Sequence, residues 1–314
     1  MKPVAKTLWF AIAVAGIVVL LVTPYWLAQR ALKELTPETR ASLPGSFVKL
    51  KDGYTCCESR GPTDGRVVVL AHGATISKYV WDRNVDALAA AGLRSIRYDN
   101  FGRGYSDRPP LTYGVDLYDR QLLELLDALK IDKPIDLVGL SQGGAISVVF
   151  AARRPERVRK LVLVAPAGFP VNLPFTAKLA PAPLIGDWIM TVFGKRVLIS
   201  QSRQANKDSA ILKEMEQKLL DQLSYAGYLP ALLSMLRNYP LHDLAAEYQS
   251  VGRHGIPTLL IWGSADKVIP IENADRALAA MPAATLKVVQ DAGHGVVYEK
   301  PEEVNKAIVD FLTR

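Results

Sequence analysis

The first feature of the hydrophobic pattern is an apolar run from Leu8 to Ala28 that contains no charged side chain. The run is long enough to cross the hydrocarbon core of a bilayer as a helix, and basic and aromatic residues flank it as they flank membrane spans. A cleaved signal peptide is the alternative, but residues 25–30 are bulky or charged and offer no small-residue cleavage site. Residues 1–30 are therefore predicted to form an uncleaved transmembrane anchor that contacts the bilayer through residues 8–28.

The next part of the pattern predicts a connection and then a sheet. Residues 31–45 are polar and rich in turn formers, as expected of a juxtamembrane connection, and SFVKL and YTCCES around Gly53 predict a hairpin. Later runs are apolar on both faces and alternate with helical patterns: RVVVLAHG, LRSIRYD, IDLVGL, RKLVLVAP, TLLIWG and TLKVVQ. Strands of this kind form parallel sheets that helices cover on both sides. The predicted fold class is α/β, with a mostly parallel central sheet flanked by helices.

The alternation of strands and helices stops between residues 168 and 254. This stretch opens with the apolar, Pro-rich FPVNLPFTAKLAPAPLIGDWIMTVFG and continues with helical patterns such as ILKEMEQKLLDQL and YLPALLSMLRNY. We therefore predict that residues 168–254 form a helical cap inserted over the sheet. The core domain is then predicted to consist of residues 46–167 and 255–314.

Composition and charge restrict the function classes. Hydrophobic residues make up 49% of the chain and charged residues 22%, so neither a disordered protein nor a multi-span membrane protein is indicated. The net charge of +7 is not organised into aromatic-interleaved basic stripes, so no nucleic-acid partner is predicted, whereas anionic lipid headgroups suit this charge. The cysteines, Cys56 and Cys57, are adjacent, which is not typical of a disulfide framework, a metal site or a redox motif. No metal or cofactor is predicted.

A candidate nucleophile lies where the strand IDLVG meets an apolar helix, in the sequence GLSQG. This strand, sharp turn and helix form a nucleophile elbow, because the turn leaves no space for side chains at its glycine positions and lifts the serine hydroxyl out of the sheet. Ser141 is therefore predicted to be the nucleophile.

A serine hydroxyl needs a general base, and His294 in DAGHGVV follows the strand TLKVVQ, so it lies at the same sheet edge as Ser141. His242 and His254 lie in or beside the cap and are interpreted as surface residues. Asp266 in WGSADKVIP follows another strand, and it gives the chain order Ser, Asp, His. Asp291 is the rival acid, but it is too near His294 along one short loop for a firm lateral hydrogen bond.

An oxyanion hole requires two backbone donors aimed at the developing negative charge. The N–H of Gln142 is predicted to be one, and the loop after RVVVLA supplies the other, for which we choose Ala74, with Thr75 as the alternative. His72 could act as a second base, but a structural role in bracing this loop is favoured. The predicted substrate contacts are His72, Phe169, Trp188 and Val296.

Several motifs together resemble the α/β-hydrolase superfamily, from about Phe47 to Arg314: HGA, YDNFGRGYSDRP, GLSQGG, WGSADKVIP and DAGHGVVYEKPEEV. The resemblance implies a triad of Ser141, Asp266 and His294 beneath a helical cap. With its N-terminal span, the chain is most similar to membrane-anchored bacterial esterases of the phospholipase A or lysophospholipase type and to monoacylglycerol lipases. Dehalogenases and epoxide hydrolases of the superfamily carry an aspartate nucleophile, so a serine argues against both. Carbon–carbon bond hydrolases and cofactor-free perhydrolases share the serine triad and stay open.

The leading functional hypothesis is hydrolysis of a carboxylic ester through an acyl-enzyme on Ser141. The anchor and the apolar start of the cap favour a lipid substrate, a (lyso)phospholipid or acylglycerol, although the cap helix could equally pack this apolar face on the core. A tethered esterase or perhydrolase for small soluble substrates, and a binding protein without activity, are the alternatives.

The remaining expectations concern placement and assembly. Lys2, Lys6 and the terminal amine favour an N-terminus inside, which predicts a single-pass protein of the bacterial inner membrane with its catalytic domain in the periplasm. A homodimer through the anchor is left open, because Ala11, Ala15 and Gly16 form part of a small-residue face.

Overall fold

The structure is a computed structural model that describes residues 3–30, 32–171, 182–205 and 209–314. Its central feature is a sheet of eight strands in the order β1-β2-β4-β3-β5-β6-β7-β8. The strands are β1 Ser46–Leu50, β2 Gly53–Arg60, β3 Arg66–Ala71, β4 Leu93–Tyr98, β5 Ile135–Leu140, β6 Val158–Val164, β7 Thr258–Gly263 and β8 Thr285–Val289.

The sheet has the predicted character, with one antiparallel end. Strands β1 and β2 form the expected hairpin, β2 also pairs antiparallel with β4, and all other pairs are parallel. Every residue of β5 and of β7 is buried, because these central strands carry apolar side chains on both faces and helices cover both. The predicted α/β fold is confirmed.

The helices lie on both sides of this sheet and above one edge of it. They are α1 Pro3–Arg30, α2 Pro37–Ala41, α3 Val85–Ala90, α4 Val115–Ala128, α5 Gln142–Arg153, α6 Ile185–Ala205, α7 Ser209–Gln222, α8 Tyr228–Asn238, α9 Ala245–Arg253, α10 Glu272–Ala280, α11 Val296–Glu299 and α12 Pro301–Thr313. Residues 172–181, the opening of the predicted cap, lie outside the described residues.

The helices α6 to α9 occupy the stretch that was assigned to a cap. The last of them, α9, packs against α5 and α10, and its Tyr248 hydroxyl donates a hydrogen bond of 2.8 Å to the Ala167 carbonyl. This helix therefore extends the core layer, and the boundary at residue 254 stays a prediction.

The N-terminal helix α1 stands apart from this core. Among the described residues, one helix has the length and composition of a membrane span: its segment Trp9–Arg30 has a mean hydropathy of 2.2 and none of it is buried. A signal sequence would pass the same test. After α1 the chain is hydrogen-bonded to the loop between α7 and α8, because Lys33 N–H donates to the Ser224 carbonyl (2.8 Å) and Ala226 N–H donates to the Lys33 carbonyl (2.9 Å).

Candidate active site

Ser141 occupies a sharp turn between β5 and α5. Its φ is 55° and its ψ is −117°, a conformation that costs free energy for a side chain other than glycine and persists only where neighbouring bonds impose it. Here they do: the Ser141 N–H donates to the Val164 carbonyl at 3.0 Å, and the Ser141 carbonyl accepts from Ala145 at 3.1 Å and from Ala167 at 3.0 Å. The strained turn presents the hydroxyl at the carboxyl edge of the sheet, as the sequence predicts.

The glycines around Ser141 are required by close packing. A Cβ at Gly139 would lie 2.3 Å from the Gly143 carbonyl oxygen, and a Cβ at Gly143 would lie 2.2 Å from the Ala71 carbonyl oxygen. Both contacts are with backbone, which cannot rotate away. The turn at Ser141 therefore requires residues without side chains, so that its backbone can approach the end of β3 and the loop that follows β3.

Replacing Gly143 with alanine is expected to destabilise the protein. The added methyl group must displace backbone, and overpacking of this kind lowers the free energy of unfolding by about 1 to 3 kcal/mol. Chemical unfolding of the detergent-solubilised full chain measures the change. Gly114→Ala is the matched control, because its Cβ would meet its nearest atom, the Asn238 carbonyl oxygen, at an ordinary 3.5 Å. Equal stability of the two variants would contradict the packing argument.

Asp266 and His294 are joined by a hydrogen bond. Asp266 follows β7, His294 follows β8, and the Nδ1 of the histidine lies 2.8 Å from Oδ2 of the carboxylate. The other carboxylate oxygen, Oδ1, accepts the N–H groups of Val268 (2.8 Å) and Ile269 (2.9 Å), so the carboxylate is fixed in place. An ionised carboxylate only accepts hydrogen bonds, so Nδ1 must carry the proton and Nε2 is left as the base.

The rival acid, Asp291, is placed differently. It is exposed, its φ is 57°, and its N–H donates to the Ser264 hydroxyl at 2.9 Å. In the described part of the chain the Nδ1 partner of His294 is Asp266, as the sequence argument expects. The sequence argument does not identify Glu299 as a residue of the site. Its Oε2 accepts the Gly293 N–H at 2.7 Å and holds the loop that carries His294.

The loop after β3 reaches Ser141 from the other side. A Cβ on Gly73 would lie 3.3 Å from the Ser141 Cβ, so this loop passes directly over the nucleophile. Two carbonyl groups of this loop accept hydrogen bonds from side chains. The Arg103 guanidinium donates to the Ala74 carbonyl, and the Tyr228 hydroxyl donates to the Thr75 carbonyl at 2.9 Å. Within the described residues neither the Ala74 N–H nor the Gln142 N–H has a protein acceptor, which suits the predicted oxyanion donors.

His72 is placed where it braces this loop, the role that the sequence argument favours for it over a second base. The side chain is fully buried, its Nδ1 lies 2.8 Å from the Gly73 carbonyl, and its Nε2 accepts the Asn100 N–H at 2.9 Å. Both ring nitrogens are thus occupied by backbone. Burial lowers the pKa of His72 to about 4, so the ring is neutral at neutral pH and braces the loop.

The buried His72 predicts a pH dependence of stability. Its pKa is about 4 in the folded protein against 6.5 in the unfolded chain, so the unfolded chain takes up the proton first as the pH falls. The free energy of unfolding should therefore fall by up to about 3 kcal/mol between pH 6.5 and pH 4. The His72→Asn variant should show a flatter profile over this range in urea unfolding, and parallel profiles would refute the assignment.

The side chains of the other predicted substrate-contact residues touch other groups of the protein. Val296 is fully buried, and Phe169 packs against the Tyr248 ring with centroids 4.6 Å apart. The Trp188 indole donates a hydrogen bond of 2.8 Å to the Leu21 carbonyl of α1. In this conformation Val296 and Trp188 thus have protein partners, while Phe169 retains 6% of its surface.

Comparison with known proteins decides the family. A family model described as the alpha/beta hydrolase fold matches residues 66–301. This chain belongs to the α/β-hydrolase family. Among the described residues of this hydrolase, no cluster of three or more His, Cys, Asp or Glu side chains could hold a metal ion.

Relatives of this α/β-hydrolase are named for small carbonyl substrates. It is 31% identical over 282 residues to a 2-hydroxy-6-oxononadienedioate/2-hydroxy-6-oxononatrienedioate hydrolase of Paraburkholderia xenovorans, covering 85% of this chain and 94% of the relative. It is 31% identical over 259 residues to a 2-hydroxy-6-oxo-2,4-heptadienoate hydrolase of Pseudomonas putida, covering 79% of this chain and 89% of the relative.

Solved structures agree on the fold of this α/β-hydrolase. The enol-lactonase from Burkholderia xenovorans superposes with a TM-score of 0.71 at 22% identity, over 86% of this chain and 100% of the other. A carboxylesterase from Bacillus subtilis superposes with a TM-score of 0.72 at 22% identity, over 94% of this chain and 97% of the other. At this identity the likeness concerns the fold.

Proposed function

We propose that this hydrolase transfers an acyl group from a small soluble substrate to Ser141 and then to water, while α1 tethers it to a membrane. The observation that carries the proposal is the hydrogen bond between Asp266 and His294 at the sheet edge that also holds the strained Ser141 turn. A positioned acid, base and nucleophile at one edge serve acyl transfer.

The chemistry begins when the Ser141 Oγ attacks the carbonyl carbon of the substrate. The Nε2 of His294 takes the hydroxyl proton, and Asp266 stabilises the imidazolium through Nδ1–H. The oxyanion is bound by the N–H groups of Ala74 and Gln142. Collapse expels the leaving group, which receives the proton from His294. Water then attacks the acyl-enzyme with His294 again as base, which releases the acid and restores Ser141.

The leaving group distinguishes two small-substrate reactions. In an ester it is an oxygen, which carries the electron pair readily. In carbon–carbon hydrolysis it is a carbon, and the electron pair must be delocalised into a second carbonyl. A 2-hydroxy-6-oxo-dienoate, the skeleton in the names of the relatives, supplies that carbonyl once its dienol has tautomerised to the 2-keto form with a proton on C5. The identity to these relatives supports testing this skeleton first, with esters and enol-lactones second.

A substrate panel tests the proposal. Purified full-length protein is assayed on a 2-hydroxy-6-oxo-2,4-dienoate, an enol-lactone, short p-nitrophenyl esters, a lysophospholipid and a monoacylglycerol, with Ser141→Ala as the blank. Turnover of at least one small substrate above the blank is expected. Activity confined to the two lipids would contradict the small-substrate proposal and return the function to the lipid hydrolase of the leading hypothesis.

The tether is tested separately. The exposed, apolar α1 supports a single-pass anchor, and the basic residues before it support a catalytic domain in the periplasm of a bacterium. Membrane-associated protein should resist extraction with alkaline carbonate, whereas a chain without residues 1–30 should appear in the soluble fraction. A C-terminal alkaline phosphatase fusion reports the orientation, since that enzyme is active outside the cytoplasm; an inactive fusion would place the domain inside.

A further inference from the structure

The helix α6, in the predicted cap, contacts the apolar helix α1 at one defined position along α1. The Trp188 indole N–H, in the first turns of α6, donates to the carbonyl of Leu21 at 2.8 Å. A second tie, the pair of backbone hydrogen bonds between Lys33 and residues 224 and 226, holds the chain after α1 to the loop between α7 and α8. The cap is therefore fixed to the N-terminal helix at two points.

The depth in the bilayer of the hydrogen bond between Trp188 and Leu21 follows from helix geometry. A helix rises about 1.5 Å per residue, so Leu21 lies about 7 Å along the axis from Trp26 and about 13 Å from Arg30. The Arg30 guanidinium lies 4.8 Å from the centre of the Trp26 ring, the kind of pair that stands at a membrane interface. Half of a hydrocarbon core measures about 15 Å. The Leu21 carbonyl, and the Trp188 indole bound to it, therefore lie within the apolar layer when α1 spans it.

The start of α6 is suited to that layer. Leu184 is 84% exposed and Ile185 is 63% exposed, although both are large and apolar. The acid in the same turn, Asp187, is paired with Arg237 through two contacts of 3.0 Å and accepts the Leu184 N–H at 2.9 Å. The indole donor of Trp188 is likewise satisfied by the Leu21 carbonyl. Polar groups must have internal partners in hydrocarbon, and here they have them.

The second half of α6 changes character. Phe193 and Val197 are still exposed, at 39% and 43%, but Lys195 and Arg196 are exposed between them. Lys195 lies about 15 Å along the helix from Ile185, which is about half the thickness of the hydrocarbon core, so Lys195 can reach the headgroups while Ile185 lies in hydrocarbon. Exposed apolar side chains at the start of a helix and basic side chains further along it suit an element whose start enters the hydrocarbon and whose later turns reach the headgroups.

We infer that residues 184–188, at the start of α6, form a second membrane-contacting element, whose partner is the hydrocarbon and headgroup region of the bilayer that α1 spans. This inference rests on the proposed tether. The cap then stays fixed to the membrane surface as part of the folded enzyme, and Leu184 and Ile185 contact acyl chains. Anionic lipids strengthen the contact through Lys195 and Arg196.

Site-specific quenching in vesicles tests the contact. Ile185→Cys is labelled with the fluorophore NBD, and the full-length protein is reconstituted into phosphatidylcholine and phosphatidylglycerol vesicles that carry nitroxide lipids. Cys56 and Cys57 are buried, and unsubstituted protein serves as the labelling blank. Val18→Cys in α1 is the reference for the bilayer. Asp64→Cys is the reference for water, because Asp64 is exposed between β2 and β3, at the sheet edge opposite to the one that carries Ser141. Fluorophosphonate labelling of each variant verifies the fold.

The expected result is quenching at position 185 comparable to that at position 18, with none at position 64. Quenching at 18 alone would overturn the cap contact and leave the tether intact. Quenching at neither position would overturn the tether together with this inference. A blue-shifted probe at 185 that nitroxide lipids do not quench would mean that a second copy of the protein covers this surface, and it would also overturn the proposal.

Discussion

Replacing Ser141 with alanine is expected to lower kcat by a factor on the order of 10⁴ to 10⁶. The variant keeps the strained turn, the oxyanion donors and the substrate site, but it has no oxygen to form the acyl-enzyme. What persists is the catalysis that binding and the oxyanion hole provide without a nucleophile. Steady-state kinetics on whichever small substrate the panel identifies measures the loss.

The control for this variant is its stability. Alanine fits the space of the serine, so chemical unfolding of Ser141→Ala should stay close to that of the unsubstituted protein, and the loss of kcat can then be assigned to chemistry. A kcat within a factor of about ten of the original would contradict the assignment of Ser141, because removal of a covalent nucleophile cannot leave the covalent route intact.

Asp266→Asn is expected to have the second largest effect, a loss of kcat on the order of 10³- to 10⁴-fold. The two N–H groups of Val268 and Ile269 require an oxygen acceptor at the position of Oδ1. The asparagine must then present its NH₂ group to Nδ1 of His294. That donor favours the tautomer with the proton on Nε2, which cannot accept the serine proton.

Asp291→Asn is the matched control for the choice of acid. The change is chemically the same, in the same loop as His294, but Asp291 is exposed and contributes its N–H to Ser264. We expect kcat to change by less than about tenfold, as for a surface substitution outside the triad. A large loss in Asp291→Asn with a small one in Asp266→Asn would reverse the assignment of the acid.

The candidate triad could be predicted from the sequence because local chemistry constrains those positions. The Ser141 turn requires bare backbone at positions 139 and 143, so the motif carries its own structural context. The chain order then places Asp266 and His294 after later strands, and parallel strands bring their carboxyl ends to one edge. The hairpin and the buried strands followed from periodicity alone.

The sequence was insufficient where burial and long-range contacts decide. The sequence favours a bracing role for His72 but does not give its partners, Asn100 and Gly73, because that pairing exists only after β3 and β4 have come together. Trp188 looks like a substrate contact, but its partner is Leu21, 167 residues away. The lipid substrate was inferred from the predicted anchor and from the apolar start of the predicted cap, and neither feature defines what enters the site.

The most direct test of the account is covalent labelling of the nucleophile. Full-length protein is treated with a fluorophosphonate probe, and the modified peptide is located by mass spectrometry in the unsubstituted protein and in Ser141→Ala. One modification is expected, on Ser141, and the alanine variant should not be labelled. Labelling of both proteins, or of neither, would contradict the assignment of Ser141 as the nucleophile.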